Sequence, residues 1–96
     1  MNENIFEILF TRRHITRKRA AKCTLRVSGK TPASAARYLI RDLRRRNSQG
    51  VFSLVSIAPV VASETFLSQV QRARKALRKA SGERLEILRA VAKGAP

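Results

Sequence analysis

The sequence is short of the residues from which catalytic and metal sites are usually built. It has one cysteine, one histidine, one tyrosine, no tryptophan and six acids among 96 residues. A single thiol, Cys23, excludes an intrachain disulfide and a cysteine-based zinc site within one chain, and fits a reducing compartment. On the inward side of its segment, it reads as a small buried hydrophobe. No apolar run approaches the ~20 residues of a membrane-spanning helix. The early run at 5–10 is interrupted by Glu7, and positive residues follow it instead of preceding it as in a secretory signal. A cytoplasmic protein without membrane contacts is therefore expected. His14 has no carboxylate or cysteine beside it in sequence and reads as a neutral contact. The scattered acids suggest neither a carboxylate pair nor a two-metal site. Residues 28–31, Ser-Gly-Lys-Thr, echo the end of a phosphate-binding loop. However, Lys22, Cys23 and Thr24 stand where its upstream glycine is required. Neither an enzyme nor a cofactor is expected.

What the sequence has in abundance is positive charge. Twenty-one Lys and Arg face six Asp and Glu, a formal net charge of +15. Solubility needs only about 2–8. A small domain so unbalanced repels itself, and an anionic partner relieves that strain. Nucleic acid is the expected partner, because each neutralised phosphate releases condensed counterions. DNA is favoured over RNA, in a regulatory or architectural role that would place the protein at the nucleoid. The alternative is a protein-interaction module or inhibitor docking on an acidic protein surface.

The charge is uneven. Residues 11–46 hold thirteen Lys and Arg against one acid, Asp42, while the remainder holds eight against five. One dominant contact surface is implied.

The hydrophobic pattern predicts a small α+β single domain: a basic N-terminal arm, then strand-helix-strand-helix-helix, with the helices packed on a small sheet. Residues 1–22 read as an apolar segment followed by the arm, and 23–94 as the folded part. In the segment 4–10, Ile5 with Ile8 and Leu9 suits a helical turn, and a first strand fits nearly as well. Residues 11–21 contain one large apolar residue, Ile15, and read as mobile without a partner. Cys23, Leu25 and Val27 alternate as a half-buried strand ended by Gly29. Thr31 and Pro32 are a cap and a first helical residue. Ala36, Leu39, Ile40 and Leu43 then line one helical face, which the turn at 47–50 stops.

Residues 51–57 are apolar on both sides, as in a central strand buried on two faces. Ser63 suits a second cap, with Phe66, Val70, Ala73, Leu77 and Ala80 as the apolar line behind it. That line also suits association into a homodimer. Ser81 and Gly82 break the helix, and a last helix over 83–93 turns Leu85, Leu88, Val91 and Ala92 inward. Two strands flanking a helix suit a parallel pair, completed by residues 4–10 or by a second copy. The strand-then-helix opening at 23–46 resembles ribbon-helix-helix proteins, but a strand follows where those place a second helix. No motif assigns a family.

The candidate contacts fall into three groups. The arm offers Arg12, Arg13, Arg17, Lys18 and Arg19. On the first helix, with Ala36 at 0°, Arg44, Arg37, Arg41 and Arg45 sweep from roughly 80° to 180°, and Tyr38 sits near 200°. Guanidinium forks grip phosphate at two points and stack on flat groups. On the second helix Arg74, Lys75, Arg78 and Lys79 form an arc with no acid within it. Neither helix offers much charge pairing of its own. One tyrosine is too few for binding by base stacking alone, so duplex or structured nucleic acid is expected. On this reading, reversing Arg37, Arg41 and Arg44 to Glu abolishes binding and spares the fold, as a binding titration beside a thermal melt would show.

Overall fold

A computed structural model of the chain describes residues 4–61 and 64–94. The elements are β1 (Asn4–His14), β2 (Ala21–Gly29), α1 (Pro32–Arg46), β3 (Gly50–Pro59), α2 (Glu64–Ala76), a short 3-10 turn (Leu77–Lys79) and α3 (Gly82–Lys93). This is the small α+β domain expected, with helices on one face of a three-stranded sheet. No helix among the described residues is long and apolar enough to cross a membrane.

The sheet order is β2-β1-β3, and β1 is antiparallel to both neighbours. β2 and β3 therefore run parallel, but they do not pair with one another. The expected parallel pair is corrected: β1 is inserted between its members. The segment 4–10 is strand, and the strand runs on to His14, through the start of the stretch expected to be a mobile arm. β3 is correspondingly an edge strand, not the central one. Its two-sided apolar pattern has a local cause. Leu9 pairs with Ser56 and Phe10 with Leu54, so Val55 is the extra residue of a β-bulge. The bulge switches which residues face the helices, and so blurs the alternation.

Phe6, Ile8 and Phe10 leave one face of β1 fully buried, while Ile5 and Glu7 on the other face are exposed. The core above that first face gathers Phe52 and Ile57 of β3 with Ala35, Ala36, Leu39 and Ile40 of α1. Phe66, Val70 and Ala73 of α2 and Ile87, Ala90 and Val91 of α3 complete it. β2 contributes least. Cys23 and Val27 are only half-buried, and Leu25 is 46% exposed. The expectation of a buried Cys23 is corrected, because the helical layer does not extend over this end of β2.

Local chemistry sets the helix ends. At α1 the Thr31 hydroxyl accepts from the Ser34 N–H at 3.1 Å, and the Ser34 hydroxyl accepts from the Thr31 N–H at 3.2 Å, closing a capping box before Pro32. The Asn47 N–H ends the helix on the Leu43 carbonyl. The expected helix over 63–80 is corrected: α2 ends at Ala76 and continues as the 3-10 turn to Lys79, Ala80 and Ser81 are extended, and Gly82, at φ 61°, opens α3. Ser63 lies outside the described residues. α3 packs against β3, α2 and α1. Its buried line is Ile87, Ala90 and Val91, rotated from the expected Leu85, Leu88, Val91 and Ala92. In this rotation Ile87 and Ala90 are buried while Glu83 and Glu86 come to face α1.

Ile8 is fully buried at the centre of the central strand. Ile8→Ala should lower unfolding free energy by about 2–5 kcal/mol in a urea titration. A change below about 0.5 kcal/mol, the size of an ordinary surface substitution, would show that this segment is not the core strand.

Candidate nucleic-acid interface

The basic stretch expected as an arm is the end of β1, a connection at 15–20 and the start of β2. It is folded on itself. The Arg13 guanidinium donates to the Arg17 carbonyl at 2.7 Å, and the Arg17 N–H to the His14 carbonyl at 2.9 Å. His14 Nδ1 accepts from the Thr16 N–H at 3.2 Å, so its role is to hold this turn. The Ile15 N–H donates to the Gln49 carbonyl at 2.8 Å. That bond fastens the hairpin to the turn between α1 and β3. Arg12, Arg17, Lys18 and Arg19 make no ion pair among the described residues.

Between the hairpin and the end of α1 lies an open cleft of about 820 Å³. Arg12, Arg13, Arg17, Arg19 and Arg46 line it together with His14, Asn47 and Gln49. Phe10, Cys23, Leu25, Leu43 and Phe52 form its floor. Among the described residues no carboxylate lines it. The cleft therefore concentrates positive potential against a low-dielectric floor, which focuses the field on an anion entering it.

The α1 stripe is in a different condition. Arg41 Nε lies 3.3 Å from Glu83, Arg37 lies 4.0 Å from the same carboxylate, and Arg44 reaches Glu83 at 3.9 Å and Glu86 at 3.4 Å. Arg45 and Arg46 both pair with Asp42, at 2.8 and 3.3 Å. Within α1 the only acid is Asp42, as expected, but partners for the stripe also come from α3, some forty residues away in sequence. Exposed pairs of this kind are worth only about 0–1 kcal/mol each, so phosphate can compete for these guanidiniums. Charge reversal is no longer a clean test of binding, however, because each introduced Glu would stand against Glu83 or Glu86. Tyr38 is 66% exposed and lines a shallower hollow with Arg37, Arg41, Asp42 and Arg45.

Arg74 and Lys75 close α2, and Arg78 and Lys79 lie in the 3-10 turn, all exposed and without an acidic partner among the described residues. No residue of α2 or α3 lines the cleft. The candidate residues thus divide into three places. Arg12, Arg13, Arg17 and Arg19 share the cleft, and Arg37, Tyr38, Arg41 and Arg45 share the hollow on α1. The α2 cluster stands apart, while Lys18 and Arg44 line neither cavity.

Arg46 and the apolar floor were missed from sequence. The run Arg44-Arg45-Arg46 immediately before a helix stop was the available signal for Arg46, since the last residue of a helix faces the loop that follows. Among the described residues no trio of His, Cys, Asp or Glu could hold a metal ion. Comparison with family models, characterised proteins and solved structures finds no match to this chain.

Glu86 has a second duty. Its Oε1 accepts from the Leu54 N–H at 3.0 Å, beside the β-bulge, while Oε2 meets Arg44. Glu86→Ala should cost about 1–3 kcal/mol in chemical denaturation, from one charge-assisted bond to a part-buried amide. An unchanged midpoint would show that water serves that amide equally well.

Proposed function

We propose that this protein binds nucleic acid, with DNA the first substrate to test and structured RNA the second, in a regulatory or architectural role. The observation that carries the reading is the cleft beside the β1–β2 hairpin, where five arginines converge with no carboxylate among the described residues, in a chain of charge +15. Elsewhere four of the five described acids are matched to particular bases: Glu7 with Arg26, Asp42 with Arg45 and Arg46, Glu83 and Glu86 with the α1 stripe. Bases that only held the fold together would be expected to have such partners. The cleft arginines do little of that work. Only Arg13 is spent on the backbone, and only Arg46 has an acidic neighbour.

In this reading the hairpin and the end of α1 grip the backbone, since phosphate contacts position a nucleic acid without reading its bases. Tyr38 and the α1 guanidiniums extend the contact along the helix. Arg74, Lys75, Arg78 and Lys79 serve as outlying phosphate contacts. The location consistent with such a partner is the cytoplasm, at the nucleoid for DNA.

Fluorescence anisotropy with duplex DNA, single strands and structured RNA tests the proposal. Engagement of the five cleft arginines gives a log K against log salt slope of about −3 to −5. Arg17→Glu with Arg19→Glu should weaken binding by about tenfold or more at 0.1 M salt, without shifting the thermal midpoint. Tight, selective binding to polyglutamate with none to nucleic acid would transfer the site to an acidic protein partner.

A further inference from the structure

The cleft holds two chemistries, and a phosphate backbone needs only one of them. Its rim is guanidinium, from Arg12, Arg17, Arg19 and Arg46. Its floor is apolar, and Leu25 is 46% exposed there although it points to the side of the sheet that the helices cover elsewhere. Phe10, which also lines the cleft, is buried. An apolar side chain left wet at the bottom of a concavity gains free energy when a flat apolar group displaces that water. Phosphate cannot do this, and neither can a run of Asp and Glu. A continuous duplex presents sugars and phosphates outward and keeps its bases stacked inside. A nucleotide freed from pairing supplies a flat base together with phosphates on both sides. Guanidinium planes add to the match, because they stack on bases as well as binding phosphate. The cleft's volume, about 820 Å³, also falls within the roughly 300–1,000 Å³ of sites that enclose small ligands.

We infer that the cleft takes an unpaired nucleotide of a nucleic-acid strand, its base against Leu25 and its flanking phosphates on the arginine rim. This rests on the nucleic-acid reading above and narrows it to single-stranded segments, strand ends and unpaired positions. It also replaces aromatic stacking with an aliphatic floor and guanidinium planes, so one exposed tyrosine elsewhere on the surface is no obstacle.

Cys23 is the sole thiol and lines this floor, which makes it a reporter of occupancy. Its alkylation by iodoacetamide is followed by mass spectrometry with a short oligothymidylate, a blunt hairpin duplex or inorganic polyphosphate, each bound as judged by anisotropy. At about ten times its Kd, the single strand should slow alkylation about tenfold by mass action, whereas duplex and polyphosphate leave it within about twofold. In parallel, Leu25→Ser, its fold checked by circular dichroism, should weaken single-strand binding about tenfold and leave duplex binding unchanged. Equal protection by all three ligands, or an unchanged single-strand affinity in Leu25→Ser, overturns the inference. If duplex and single strand both bind with a steep salt slope while Cys23 stays equally reactive, this inference falls and the nucleic-acid reading stands. If neither binds, both fall.

Discussion

β1 gives its backbone to both neighbours at once, and the rest of the fold depends on that double commitment. β2 and β3 run parallel and lie roughly 9.6 Å apart across it, two strand spacings, so neither can hydrogen-bond the other. Without β1 the two would be held only through α1. The same strand sends Phe6, Ile8 and Phe10 into the helical layer, where Phe6 meets Phe66 of α2 with ring centroids 6.4 Å apart. Because β1 outruns the helical layer toward its C-terminal end, it also carries Arg12 and Arg13 out to the hairpin. Core and cleft are thus consecutive stretches of one strand.

A chain with so few acids cannot scatter them freely. Glu83 and Glu86 at the start of α3 bring negative charge to the face where α1 would otherwise oppose α3 with arginine alone. Glu83 also sits in the first turn of α3, where a carboxylate complements the helix dipole. Glu7, Asp42, Glu83 and Glu86 are set at element contacts and at the α1 surface, and none stands at the tip of the hairpin, residues 12–21. Of the arginines that line the cleft, only Arg46 takes part in these ion pairs.

Much of this was legible in the sequence where the cause is local. Thr31 and Pro32 start α1 and Asn47 stops it, because each acts on backbone within a turn of itself. The arginine stripe of α1 was also legible as a stripe. Its neutralisation was not, since Arg41 and Glu83 meet only after α3 has crossed the sheet. The role of residues 4–14 was hidden for a similar reason: a short apolar segment becomes a central strand only when its partners, Thr24 and Ser56 among them, are brought to either side. The apolar pattern of β3 misled because Val55 is a bulge residue, which no alternation rule anticipates. The cleft lay beyond sequence reading altogether, as it exists only where the sheet extends past the helices.

The sheet has two free edges, and each is blunted differently. On β2 the side chains of Lys22 and Arg26 stand on the uncovered face, with Lys30 just beyond the strand. On β3 the bulge distorts the edge, and Pro59 at its end has no N–H to offer. Charges, bulges and proline are what keep a strand edge from recruiting a foreign strand. Extension of the sheet from molecule to molecule is therefore disfavoured at both sides, so a second copy would have to meet the first through side-chain surfaces. The lysines and arginines of β2 consequently protect the protein from aggregation through its most open strand.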